Sequence, residues 1–157
     1  MAVLSFPTCC GALPQSSAGW HLSDISVNAN KVVDYAILAP AVYSSLFQRL
    51  GVYGAVVVGM HIGWGWCNMV EDSYFESNQI GLVLSNAVNN VNVINSAMLD
   101  NEVGLYISGG MQMNIEGNVF EGNGGAFCKT SPPFMRSCPP FPRLHFLTCR
   151  RCLQARA

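Results

Sequence analysis

The sequence predicts an all-β solenoid, in which short strands wind into stacked coils and each coil buries its apolar side chains against the next. Three observations carry the prediction. The stretch 68–125 repeats itself: residues 70–84 are followed in register by 93–107 and by a third copy at 115–123, in steps of 23 and 22 residues. Each copy holds short strand-like pieces separated by Asn, Ser and Gly, with no helical return of period 3.6. The chain is half hydrophobic and only 11% charged, which suits an ordered core rather than a disordered polymer.

Within the repeat, positions 70, 93 and 115 are Val, Val and Ile, and positions 75, 98 and 120 are Phe, Met and Phe. Stacked coils place each set in an apolar row. Leu82 and Leu84 over Leu105 and Ile107 repeat the idea two residues apart, as strand alternation requires. Asn78, Asn101 and Asn123 share one position; Ser73, Ser96 and Asn118 share another. Asparagine suits either the left-handed backbone of a tight turn or an amide ladder along the stack. Gly81 and Gly104 are expected where the chain turns sharply into the next strand.

A leucine-rich repeat would have a similar period, but it needs one strand with a helical return, and none is present. The Asn-x-x-Gly-Leu-x-Leu/Ile pattern at Asn78–Leu84 and Asn101–Ile107 instead resembles the right-handed parallel β-helix repeat of the pectate-lyase-like superfamily. That group includes pectin lyases, polygalacturonases, alginate-processing enzymes and phage tailspikes. The resemblance is clear over 68–125 and looser over 20–67. It implies a right-handed parallel β-helix of about five coils with irregular N- and C-terminal segments.

In chain order, residues 1–19 read as an irregular leader, lacking the basic start and long apolar run of a secretory signal. The β-helix spans 20–127. Leu22, Ile25 and Val27 alternate with polar residues in an early coil, Tyr35 to Leu38 supply a strand, and Leu46 to Met60 form the next coil. Gly54 to Val58 corresponds to Gly81 to Leu84. The apolar run Val52 to Trp66 is too short and too rich in Gly to span a membrane. Residues 128–157, rich in Cys, Pro and Arg, are expected to be disordered or an artefact of truncation. The coils would then end uncapped, with open edges favouring self-association.

Net charge is −1, which gives no reason to invoke nucleic acid or an anionic membrane. Residues 1–127 hold all nine acids with only Lys31 and Arg49, a balance of −7, against +6 for 128–157. The cysteines number seven. Cys149-x-x-Cys152 with Cys128, Cys138 and His145 matches no standard zinc-finger spacing, so no metal site is assigned and no disulfide pairing is deduced. Cys67 reads as a small core residue.

Two sets of residues carry candidate chemistry. Glu71 and Glu116 share a repeat position with Ile94 between them, and Glu76 and Glu121 share another with Leu99 between them. Outward members of each pair would stand ~9–10 Å apart, near the upper limit for an inverting glycosidase pair. These four are the catalytic candidates. Asp72, Asp100 and Glu102 add oxygens that could hold Ca²⁺. The plainer alternative is that all these acids solubilise an apolar coil. Trp64, Trp66, His61 and Tyr106 are the candidate substrate-binding residues, the indoles as flat faces for sugar rings and the histidine as a hydrogen-bonding neighbour. Burial of both indoles is the competing expectation.

The resemblance implies a polysaccharide-acting protein of lyase or glycoside hydrolase type, of which this chain would be a part. An oligosaccharide or polysaccharide is the implied partner, and the implied location is extracellular. No motif carries a catalytic residue over, however. The paired aspartates, Gly-His-Gly and Arg-x-Lys of polygalacturonases are absent, as is the Asp-Pro-His of alginate epimerases. The alternative is a non-catalytic β-helix for carbohydrate binding, adhesion or structure.

Overall fold

The computed structural model describes residues 1–6 and 19–130, and every regular element among them is a strand. The strands form three parallel sheets. Sheet A is built from β1 (Ala2–Ser5), β4 (Tyr35–Ala39), β7 (Val58–Trp66), β10 (Ile80–Asn89), β13 (Val103–Ser108) and β16 (Gly125–Thr130). Sheet B holds β2 (His21–Ser23), β5 (Leu46–Gln48), β8 (Met69–Glu71), β11 (Asn92–Ile94) and β14 (Asn114–Glu116). Sheet C holds β3 (Ser26–Asn28), β6 (Gly51–Tyr53), β9 (Tyr74–Glu76), β12 (Ala97–Leu99) and β15 (Val119–Glu121). The chain visits A, B and C in turn. β4 to β15 therefore make four complete coils, and β1 to β3 supply the same three faces ahead of them. This is a right-handed parallel β-helix, the hand expected of parallel crossovers.

The apolar rows pair as the repeat requires. Val93 stands opposite Val70 and Ile115, Met98 opposite Phe75 and Phe120, Leu82 opposite Leu105, and Leu84 opposite Ile107. Val70, Phe75, Leu82, Leu84, Val93, Met98, Leu105 and Ile107 are fully buried, while Ile115 and Phe120 in the last full coil are only partly so.

Three corners join the sheets, and each recurs as a column of left-handed residues. Ser44, Cys67, Asn90 and Gln112 form one, Asp24, Arg49, Asp72, Asn95 and Gly117 a second, and Gly54, Ser77, Asp100 and Gly122 a third, with φ between 48° and 67°. Where the residue after a corner is Asn or Ser, its side chain turns inward and accepts a hydrogen bond from the neighbouring coil. Asn101 Oδ1 accepts from the Asn78 backbone N–H at 3.0 Å and from Asn78 Nδ2 at 3.2 Å, while its Nδ2 donates to the Phe75 carbonyl at 2.9 Å. Asn123 does the same for Asn101, and Ser73, Ser96 and Asn118 cap one another's coils through Oγ and Oδ1. Of the two uses open to these asparagines, the ladder is the one found. The left-handed backbone falls one residue earlier.

Several expectations need correction. Ala2–Ser5, assigned to an irregular leader, form a strand paired with β4. β16 continues to Thr130, past the expected end at 127, with Lys129 in register with Ile107. Gly54 occupies a corner, and it is Gly59 that matches Gly81, because Val58 pairs with Ile80 and Met60 with Leu82. Gly81 is no turn residue. It lies within β10, where a Cβ would come within 2.6 Å of the Gly104 carbonyl and 3.2 Å of Asn101 Nδ2, so its missing side chain makes room for the ladder. Cys67 is an exposed corner residue rather than core. Cys138, His145, Cys149 and Cys152 lie outside the described residues.

Candidate functional site: an aromatic patch on the third coil

β7 packs Met60 and Ile62 into the core, and simple alternation would send Trp64 and Trp66 inward after them. The phase flips instead. The paired β10 shifts register between Leu84 and Ala87, and Gly65 adopts φ 141° with its backbone against the Val42 carbonyl. Trp64 and Trp66 consequently face outward, each 44% exposed. Their ring centroids lie 6.1 Å apart at 64°, and Tyr43 lies 5.0 Å from Trp66 at 37°. The competing expectation of burial fails.

Sequence reasoning missed Tyr43. It precedes Trp66 by one repeat of 23 residues, and Asn89 follows Trp66 by the same step, in register with it and bridged to the 69% exposed Met111. The period was the signal that could have found this row. Tyr43 and Asn89 are half-buried, yet Tyr43 Oη and Asn89 Oδ1 are fully buried and have no hydrogen-bond partner among the described residues. Burial pushes the Tyr43 phenol above its ordinary value of 10.0. The hydroxyl thus adds an unmet desolvation cost, and the ring supplies the surface. Tyr43→Phe is expected to leave stability unchanged or raise it by about 1 kcal/mol in a thermal melt. A loss of that size would show that the hydroxyl has a partner.

His61 lies three residues before Trp64 on the outer face of sheet A. Its Nε2 is 2.7 Å from Ser85 Oγ, Tyr35 stacks on its ring at 5.9 Å, and its Nδ1 is buried without a partner among the described residues. Burial pushes the imidazole below its ordinary value of 6.5. Below that pH the unfolded chain takes up a proton that the folded chain resists, so stability falls as pH drops from about 6.5 toward the folded-state value. Melting temperatures between pH 7 and pH 5 should therefore decline less in His61→Gln than in the parent. Equal slopes would contradict this. Tyr106 shares an outer row with His61 but stands two coils away, with Val83 between them. The structure brings Trp64 and Trp66 together and leaves His61 and Tyr106 apart.

The carboxylates fall in two rows, one on each of two sheets. Glu71, Ile94 and Glu116 form one row on sheet B, and Glu76, Leu99 and Glu121 one row on sheet C, as the repeat placed them. Members of each pair are two strands apart, ~9–10 Å by strand spacing, and the two rows lie on different sheets. Gln48 Nε2 donates to Glu71 Oε1 at 2.7 Å, and Glu116 and Glu121 are exposed. Asp72 and Asp100 occupy different corners, and among the described residues no three His, Cys, Asp or Glu side chains gather to hold a metal ion. A depression of about 360 Å³ lies at the Ser77–Asp100 corner, between Lys31 and Glu102, away from the indoles. Arg49 binds both carboxylate oxygens of Asp24, at 2.5 and 2.7 Å, and holds that carboxyl down at about 2.

A sequence profile described as "right handed beta helix region" matches residues 16–136, more than half of the chain. The chain belongs to the right-handed β-helix family. No curated protein and no solved structure matches it. The family fixes the coil and its stacking; in this β-helix the chemistry rests on what each corner and face displays.

Proposed function

We propose that this β-helix binds polysaccharide without cleaving it, holding sugar rings on the faces of Tyr43, Trp64 and Trp66. The observation that carries the reading is the outward turn of two neighbouring indoles on either side of Gly65 in β7, where alternation alone would have buried them. Aromatic faces are common anchors of binding energy because they offer large, rigid area with little side-chain entropy to lose. A lyase or hydrolase reading finds less support. Its candidate carboxylates stand in two rows, the members of each pair ~9–10 Å apart by strand spacing, at the upper limit for an inverting pair, and no recognised catalytic motif accompanies them.

The test is retention of the protein on insoluble polysaccharide, with parallel assays for reducing ends and unsaturated products. We expect retention without product, and loss of retention in Trp64→Ala and Trp66→Ala by about tenfold or more each. Glu71→Gln, Glu76→Gln, Glu116→Gln and Glu121→Gln should leave retention unchanged. Product formation that any of those four substitutions abolishes would restore the enzyme reading.

A further inference from the structure

We propose that the glycan held at this patch is uncharged. The inference rests on the polysaccharide-binding reading and narrows it to one class of ligand. The patch displays two indoles, a phenol ring with its hydroxyl turned inward, and the Met111 thioether, with no charged side chain among them. Residues 1–23 contain no charged side chain either.

The cations of the described coils are committed elsewhere. The N-terminal amine pairs with Asp34 at 2.8 Å, Arg49 grips Asp24, and Lys31 Nζ donates to the Ser77 carbonyl. Arg49 and Ser77 sit in the two corner columns that do not carry the tryptophans. Lys129 lies on β16, in register with Ile107 and three strands beyond β7. His61, on the same strand as the indoles, is held neutral by burial at pH 7.

A uronate or sulfated polymer would bring its charges to a surface that, among the described residues, offers no counter-charge and no cluster to bridge them through a metal ion. It would also approach coils that carry −7 over residues 1–127. Repulsion slows such an encounter, and desolvating an unpaired anion on an aromatic face opposes the bound state. An uncharged pyranose polymer meets neither obstacle, and its C–H faces match the rings.

The experiment is affinity electrophoresis of the full chain through gels holding neutral polysaccharides (β-glucan, xylan, galactomannan) or acidic ones (polygalacturonate, alginate, a sulfated galactan). Each is run at low and physiological salt, with and without Ca²⁺. At least one neutral polymer should retard the protein with little dependence on salt, and acidic polymers should bind about tenfold more weakly or worse. Trp66→Ala should abolish the retardation and Trp66→Phe preserve most of it, with matching thermal melts showing that both variants fold. Acidic polymers binding as well as neutral ones, with or without Ca²⁺ and in a Trp66-dependent way, would overturn the inference while leaving the polysaccharide reading intact. Retardation by neither class overturns both.

Discussion

Asn101→Ala is expected to lower the stability of the β-helix by about 3–4 kcal/mol, among the largest effects of any single substitution. The side chain is 3% exposed and makes four hydrogen bonds, two accepted from Asn78 and one donated each to the Phe75 carbonyl and to Asn123 Oδ1. Alanine leaves the Asn78 N–H and the Phe75 carbonyl facing a dry interior, and an unmet buried group costs about 1–3 kcal/mol. The melting temperature should fall by about 10 °C. Asn101→Asp should be similarly damaging, because a carboxylate accepts from Asn78 but cannot donate to Phe75. Asn123→Ala is the control: its side chain is only partly buried and ends the described ladder, so its loss should be smaller. Equal, small shifts for both would show that the ladder is decoration rather than support.

Gly65→Ala should cost about 3 kcal/mol or more and abolish glycan retention as well. A Cβ there would lie 1.6 Å from the Val42 carbonyl oxygen, and φ 141° is a conformation that side-chain-bearing residues rarely adopt. This part of β7 must move to admit the methyl, and the two indoles flanking Gly65 move with it. Gly19→Ala separates the two causes. Its φ of 74° carries the conformational cost, but none of the described residues lies within 4 Å of its Cβ, so about 1 kcal/mol is expected. Denaturant melts of both variants make the comparison. A Gly65→Ala protein as stable as Gly19→Ala would mean that the backbone at Gly65 yields easily despite its contact with Val42.

The repeat made the core legible. Val70 over Val93 and Phe75 over Met98 need only the period and the rule that stacked coils share a row. The corners were harder to read because their signal is spread over chemically unlike residues. Ser77, Asp100 and Gly122 share one left-handed position, and nothing in those three names announces a common backbone. The eye goes to the Asn that follows, which was open to two uses. Gly81 and Cys67 were misplaced for a related reason: a glycine or small residue near a turn looks like part of it or part of the core. A one-residue offset in a coil of 22 or 23 residues reverses the answer. Gly65 and a register shift in β10 turned Trp64 and Trp66 outward, and only the neighbouring strand carries that shift. Tyr43 was findable by counting one period back from Trp66. The glutamate rows were placed correctly by the period, but position in a row does not by itself make a reacting pair.

The most direct test of glycan binding at the aromatic patch is the indole region of a ¹⁵N–¹H correlation spectrum, recorded as a neutral oligosaccharide is added. The chain has three tryptophans, so three indole N–H signals report. Trp20, packed edge-on against Phe6 at 5.2 Å, serves as the internal reference. The Trp64 and Trp66 signals, assigned by substitution, are expected to shift together along one saturation curve while Trp20 stays in place. Saturable binding that moves neither Trp64 nor Trp66, or that moves Trp20 alone, would place the ligand elsewhere and contradict the proposed site.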